Sequence, residues 1–283
     1  MTVSAQLSHQ LADIRHLALD MDGTIYRGST VFPFTRPFLA RLTELGIGYT
    51  FLTNNPSKSV TDYLAHLLRM GITATPEQLQ TTTQATIAEL RTRHPDARRL
   101  FLLGTPSMAS EFAAAGFEAT ADSADDEPDA VVVGFDTTLA FSRLGRAAWW
   151  VSRGKPYLAT NPDRVCPTDQ RTILVDCGSI CASIEHATGR RPDTVLGKPD
   201  PRMLGGILTR HQLNAHEVAM VGDRIYTDML MARRAGALGV LVLSGECSAA
   251  DAANADPAPD LVLPSVAELG DLLAARRNPA GTR

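Results

Sequence analysis

Cysteine is scarce in this chain of 283 residues: there are four, Cys166, Cys177, Cys181 and Cys247. Four cannot staple a chain of this length. None forms a CxxC pair, and the CxxxC of Cys177 and Cys181 has no second ligand pair at zinc-site spacing. They read as small residues in a reducing compartment. Long apolar runs are also missing. No stretch approaches ~18 uninterrupted apolar residues, and residues 1–16 lack the apolar segment of a secretory leader. The expectation is a soluble, cytoplasmic protein with no membrane partner. Nor is there an excess of positive charge: 27 Lys plus Arg face 31 Asp plus Glu, for a net charge of −4. A nucleic-acid binder relies on a basic excess to neutralise phosphates, so no nucleic-acid partner is expected. A small anionic substrate remains compatible, because one site can be positive inside a mildly acidic protein. Long repeats and low-complexity tracts are absent. The polar, acidic stretch 122–129 reads as an exposed loop and 278–283 as a frayed tail.

What is present is ordinary globular material. Hydrophobic residues make up 44% of the chain, enough for a real core, which excludes disorder as the main state. At roughly 150 residues per domain the length fits two domains or one large one. Short apolar runs at 17–20, 48–53, 99–103, 130–135, 156–160, 217–222 and 238–243 read as strands. Amphipathic patterns at 36–45, 60–70, 76–93, 107–115, 139–153, 181–188, 201–212 and 225–235 read as helices between them. Strand–helix–strand alternation predicts an α/β fold with a largely parallel sheet, whose sites lie beyond the carboxyl ends of the strands.

The first apolar run ends in Asp20-Met21-Asp22-Gly23-Thr24. Residues two apart on an extended backbone project to one side, so Asp20 and Asp22 are expected to converge. A plain polar turn after a strand accounts for the same residues. A second run, Val218 to Gly222, delivers Asp223, with Asp228 five residues on at the opening of the next helical pattern. If the two strands are neighbours, four carboxylates face one pocket. Two like charges ~4 Å apart repel by about 4 kcal/mol at an effective dielectric of 20, so such a cluster needs a cation. Oxygen-only ligands at a phosphate-like site favour Mg²⁺.

Two more strand ends fit. Thr53-Asn54-Asn55 follows Tyr49-Thr50-Phe51-Leu52 and leads through Pro56 into a helical pattern. A hydroxyl, an amide and free backbone N–H groups there suit an oxyanion, although a Thr/Asn cap accounts for them equally. Val195-Leu196-Gly197 ends in Lys198-Pro199, which places one ammonium at a strand end.

Taken together, these segments resemble the four motifs of the haloacid dehalogenase (HAD) superfamily of phosphotransferases, in order and type. Tyr26-Arg27-Gly28, the doubled Asn and the run Gly222-Asp223-Arg224-Ile225-Tyr226-Thr227-Asp228 narrow the likeness to subclass IIA, the NagD-like and 4-nitrophenylphosphatase-like branch. The resemblance spans nearly the whole chain. It implies a three-layer, Rossmann-like core with a parallel sheet and an inserted α/β cap of the C2 type. It also implies a Mg²⁺-dependent phosphoric monoester hydrolase acting on a small phosphorylated metabolite. Asp20 would be the nucleophile and Asp22 the acid and base. Asp20, Asp22 (through its backbone carbonyl), Asp223 and Asp228 would hold the metal, and Thr53, Asn54, Asn55 and Lys198 the phosphoryl group. A phosphotransferase or mutase on the same fold, or a catalytically retired regulatory protein, are the alternatives. A retired protein should have lost a motif carboxylate or the lysine, and none is missing.

Between Asn55 and Lys198 lie 142 residues, far more than a helical crossover requires. The expected organisation is core (1–81), cap (82–176), core (177–283). In the cap, Asn161, Asp163 and Arg164 of Thr160-Asn161-Pro162-Asp163-Arg164 are the substrate-facing candidates; the family carries a similar Thr-Asn-x-Asp segment. A simple Asn-Pro-Asp turn accounts for them as well. Trp149 and Trp150 read as core or interface, and a homodimer through the cap is compatible. The chain departs from its relatives at Asp176-Cys177, where they often carry a Pro-Gly-rich turn. Cys177, Ser179 and Cys181 read as small residues at a close-packed turn.

Overall fold

The computed structural model describes residues 4–277 apart from 167, 169 and 170, so the expected tail at 278–283 lies outside the described residues. The chain forms two compact units. The first comprises residues 1–52, 68–80 and 198–283, and the second 53–67 and 81–197.

The first unit is built on a six-stranded sheet. Its order is Leu261–Leu263, Leu238–Val242, Val218–Gly222, His16–Asp20, Gly48–Thr53, Leu79–Thr81. The first five strands run parallel. His16–Asp20 is buried along its whole length, as are Val218–Gly222 and Leu238–Val242, which is why these runs are continuously apolar rather than alternating. The chain leaves His16–Asp20 for Gly48–Thr53 on one side and returns as Val218–Gly222 on the other. Leu19 pairs with Val221 and with Phe51, so Asp20 and Asp223 emerge together at the carboxyl edge. This is the switch point at which sites form in open α/β sheets.

The second unit has its own parallel sheet, ordered Thr194–Val195, Tyr157–Ala159, Ala130–Val133, Arg99–Leu103, Glu118–Ala119. Alternate residues feed two cores. Phe101, Leu103, Val131, Val133 and Tyr157 pack with Trp150 and Ile180. Leu100, Leu102, Val132 and Leu158 pack with Leu90, Met108 and Phe112 on the opposite face. Trp150 is therefore core, whereas Trp149 is exposed and carries the Arg153 guanidinium 4.3 Å above its ring.

Three departures from the sequence pattern have local causes. The helix expected over 76–93 is interrupted by the strand Leu79–Thr81, after which Thr81 caps a new helix, Thr82–Arg93, in a reciprocal pairing with Gln84. The helix expected from Cys181 begins at Cys177, because Asp176 caps it. That helix packs on the sheet of the second unit through Ile180 and Ile184. The second unit accordingly runs on to Gly197, beyond the 82–176 span expected for the insertion. Among the described residues no helix is long and apolar enough to cross a membrane.

Candidate active site

Asp20 ends its strand with a side chain that is almost wholly buried. Asp223 follows Gly222 directly, and Asp228 sits in the π-helical turn Ile225–Met229 that succeeds it. One carboxylate oxygen from each of Asp20, Asp223 and Asp228 lies within 4.8 Å of the others. Asp228 is completely inaccessible and receives the Arg224 backbone N–H on Oδ2 at 3.1 Å.

The Lys198 ammonium lies between two of these groups. It contacts Asp20 Oδ1 and lies 2.7 Å from Asp228 Oδ1. Burial alone would discharge this lysine, but the Asp20 and Asp228 carboxylates outweigh it and hold its pKa above the ordinary value. One ammonium cannot offset three carboxylates. Burial, with Asp20 and Asp228 adding to it, pushes Asp223 up to about 7. Asp228 is pushed up to about 6 by burial against the opposing pull of Lys198.

Asp223 Oδ2 accepts the Glu246 N–H at 2.7 Å, whereas its buried Oδ1 has no hydrogen-bond partner among the described residues. An orphaned, buried carboxylate oxygen in an acidic cluster fits a bound cation, and an all-oxygen donor set suits a hard one. Gly23 makes room for this arrangement. It has φ of +86°, and a Cβ on it would fall on the Asp223 carboxylate.

Asp22 does not join the cluster. The strand stops at Asp20, and residues 21–26 turn back on themselves, with Gly23 N–H donating to the Tyr26 carbonyl. The two-residue alternation of an extended strand therefore does not carry over, and the Asp22 side chain is exposed. The expected set of four carboxylates is corrected to three, with Asp22 beside it. Partial desolvation and the Asp20 charge raise the Asp22 carboxyl above the usual range, so it holds a proton more readily than an isolated aspartate. Arg224 completes the rim. It pairs with Glu246 at 2.9 Å, and Asp223 and Asp20 help keep it charged against burial. Arg224 stood inside a quoted motif, but nothing in its residue type distinguished it from a solvated arginine.

The remaining expected residues lie in the second unit and form a network there. Thr53 and Asn54 are buried, and Thr53 Oγ1 accepts the Asn55 N–H at 3.2 Å. The Asn54 carbonyl accepts from Thr82 Oγ1 and from Asn161 Nδ2, each at 3.1 Å. Asn54 Nδ2 donates to Asp163 Oδ2 at 3.0 Å. Asn55 Oδ1 accepts the Ser57 N–H at 2.9 Å, and its Nδ2 faces Cys166 Sγ at 3.7 Å. Arg164 is exposed, while its carbonyl accepts from the Asp176 N–H and from Ser179 Oγ.

Comparison with known proteins agrees with this geometry. The haloacid dehalogenase-like hydrolase model matches residues 17–118, and the HAD-hydrolase-like model matches residues 195–269. Ribonucleotide monophosphatase NagD of Escherichia coli K12 is 32% identical over 256 residues, 90% of this chain and 98% of that protein. The chain belongs to the haloacid dehalogenase-like hydrolases. Within them it stands on the NagD-like branch, subclass IIA. The crystal structure of a 4-nitrophenylphosphatase from Thermotoga maritima superposes with a TM-score of 0.87 at 38% identity, covering 93% of this chain and 98% of that one. A glycerol phosphate phosphatase of Mycobacterium tuberculosis, crystallised with magnesium, gives a TM-score of 0.83 at 33% identity over 93% of this chain and 77% of that one. The names of these HAD relatives agree with the expected phosphoric monoester hydrolase.

Proposed function

We propose that this protein is a Mg²⁺-dependent phosphatase that hydrolyses a small phosphomonoester through an aspartyl-phosphate on Asp20. The observation that carries this reading is the buried trio Asp20, Asp223 and Asp228 beside Lys198, with the Asp223 Oδ1 left unpartnered among the described residues. Asp20, the Asp22 backbone carbonyl, Asp223 and Asp228 would hold the metal. Bound there, the ion supplies charge neutralisation for the phosphoryl oxygens.

In the first step an Asp20 carboxylate oxygen attacks phosphorus, the ester P–O bond breaks, and Asp22 gives its proton to the departing alcohol. In the second, Asp22 takes a proton from water, whose oxygen attacks phosphorus. Inorganic phosphate leaves and the Asp20 carboxylate is restored. Lys198, Thr53 and the backbone of Asn54 and Asn55 hold phosphoryl oxygens, since phosphoryl transfer asks chiefly for positioning and charge stabilisation. The second unit is the proposed cap, in which the exposed Arg164 would face the remainder of the substrate while Asn161 and Asp163, both bonded to Asn54, support the phosphate-holding segment. The relatives' names point to nucleotide and polyol phosphates, and the substrate class is accordingly a small phosphorylated metabolite. The scarcity of cysteine, four in the chain, is in keeping with a cytoplasmic location. Pairing of two copies through the exposed Phe141 and Trp149 of the cap is the corresponding proposal for assembly, read by light scattering.

The test is phosphate release from 4-nitrophenyl phosphate with Mg²⁺. Turnover should vanish with EDTA and in Asp20→Asn; robust turnover by purified Asp20→Asn sinks the nucleophile assignment. A phosphate-release screen over phosphorylated metabolites, ranked by kcat/KM, then identifies the substrate.

A further inference from the structure

The strand Leu238–Val242 runs parallel to Val218–Gly222, and Leu241 pairs with Gly222, so the two strands end at the same edge. The loop that follows, Ser244-Gly245-Glu246-Cys247, contains none of the residues assigned to metal or phosphate. It nevertheless holds the Asp223 segment at two points. The Glu246 N–H donates to Asp223 Oδ2 at 2.7 Å, and the Cys247 N–H donates to the Asp223 carbonyl at 3.3 Å. The same loop grips the turn after Asp20. Ser244 Oγ donates to the Gly23 carbonyl at 2.7 Å, and Arg27 Nη2 donates to the Gly245 carbonyl at 3.2 Å. The Glu246 side chain reaches back as well, accepting from the Tyr226 hydroxyl at 2.8 Å and pairing with Arg224 at 2.9 Å.

The fit is closest at Gly245. Its φ lies outside the left-handed region, so the backbone there does not itself demand glycine. What demands it is Asp223. A Cβ on Gly245 would fall on that side chain, and the three nearest atoms it would meet are Asp223 Oδ2, Cγ and Cβ. A Cβ on Gly23 would meet the same carboxylate, and then the Gly245 Cα. Two glycine backbones and one N–H thus fix Oδ2. The oxygen left over is Oδ1, buried and without a partner among the described residues.

We infer that Gly245 is a positioning residue for the metal site: by leaving room for the Asp223 carboxylate, and with Oδ2 tied to the Glu246 N–H, it presents Asp223 Oδ1 to the cation. A ligand oriented by its outer contacts has less freedom to lose when it binds, which is why such contacts tune metal affinity. This role rests on the reading that Asp223 holds Mg²⁺.

The test is calorimetric titration of Gly245→Ala with Mg²⁺, on protein that matches the parent in circular dichroism and elution volume. The Mg²⁺ dissociation constant should rise by roughly 10–100-fold, the scale on which losing an outer contact weakens a metal site. The gain in thermal midpoint at a fixed Mg²⁺ concentration should shrink in parallel. Asp223→Gly removes all three atoms that the new methyl group would meet. In that background Gly245→Ala should not lower the thermal midpoint measured in EDTA, whereas in the parent it should. If Gly245→Ala does not fold, Ser244→Ala takes its place, since it frees the loop from the Gly23 turn without filling any space. Its Mg²⁺ dissociation constant should rise roughly fivefold, the weight of one hydrogen bond. An unchanged constant in the folded variant overturns the inference alone, as does an equal loss of midpoint in the Asp223→Gly and parent backgrounds. A parent protein that binds no Mg²⁺ overturns the metal reading and this inference with it.

Discussion

Lys198 and Asp228 form an ion pair of 2.7 Å between an almost inaccessible lysine and a wholly inaccessible aspartate. Such a pair is a weak source of stability while intact, because two charges have lost their water. Removing one partner is another matter, since the survivor is stranded. Here the lysine also touches Asp20, so its loss would strip Asp20 and Asp228 of the ammonium they share and leave Arg224 as the cation facing three buried carboxylates.

Lys198→Met should therefore lose both stability and activity. By the measured cost of breaking buried pairs, unfolding in urea without metal should be easier by about 3–5 kcal/mol. Mg²⁺ should recover part of that loss, because a ligand that binds only the folded state stabilises it by mass action. Turnover should stay down by roughly 10²–10³ even with saturating metal, the scale found for losing one donor to a developing oxyanion. A variant as stable as the parent in EDTA would show that the lysine does not offset the carboxylates.

Asp22 lies outside the carboxylate trio, exposed and with a raised pKa, a position suited to proton transfer. Asp22→Asn should accordingly discriminate between leaving groups. An alkoxide must be protonated as it departs, whereas 4-nitrophenolate leaves readily without help. With a sugar or polyol phosphate, kcat should fall by about 10²–10⁴. With 4-nitrophenyl phosphate the first step should suffer far less. Equal losses on both substrates in single-turnover measurements would remove Asp22 from the role of acid.

Much of this site was legible because strand ends in parallel sheets are where side chains gather. Asp20 and Asp223 each close an apolar run of the six-stranded sheet and so meet at its carboxyl edge, whereas Lys198 follows Thr194–Val195, a strand of the other sheet, so no run length places it beside them. Asp22 was misplaced for a definite reason: strand geometry was carried two residues beyond the last ladder position, into a turn that Gly23 makes possible. The strand Leu79–Thr81 was hidden inside a helical pattern because its three residues carry no period of their own. The pairing of Thr81 with Gln84 was the available signal. The extent of the second unit depends on packing of Ile180 and Ile184, which sequence spacing does not express.

His16 gives a pH dependence of stability unrelated to the site. It is buried, bonded to Thr50 through Nε2 at 2.8 Å, and its ring lies 4.3 Å from that of His211. Burial, with His211 and Arg210 adding to it, lowers its pKa to about 3. The unfolded chain therefore binds a proton below about pH 6.5 that the folded chain refuses. The stabilising contribution is complete above that pH and is lost as pH falls toward 3. Between pH 7.5 and 5.0 the parent should lose roughly 1–2 kcal/mol more than His16→Gln in urea unfolding. Parallel curves for the two proteins would assign the acid sensitivity to other groups.

Asp163 and Arg164 are adjacent, yet they should affect catalysis differently. Asp163 accepts from Asn54 Nδ2, so it supports the segment proposed to hold the phosphoryl group common to every substrate. Arg164 lends its backbone carbonyl to the Asp176 N–H and exposes its side chain. Asp163→Ala should therefore raise KM for all phosphomonoesters by a similar factor, about 3–10-fold for one hydrogen bond lost from a partly buried amide. Arg164→Ala should leave small neutral substrates unaffected and reorder those that carry a second anionic group. A ranking of kcat/KM across a substrate panel, measured for both variants, tests the distinction. If Arg164→Ala preserves the ranking, selectivity lies elsewhere in the second unit; if Asp163→Ala changes it, Asp163 meets substrate directly rather than acting through Asn54.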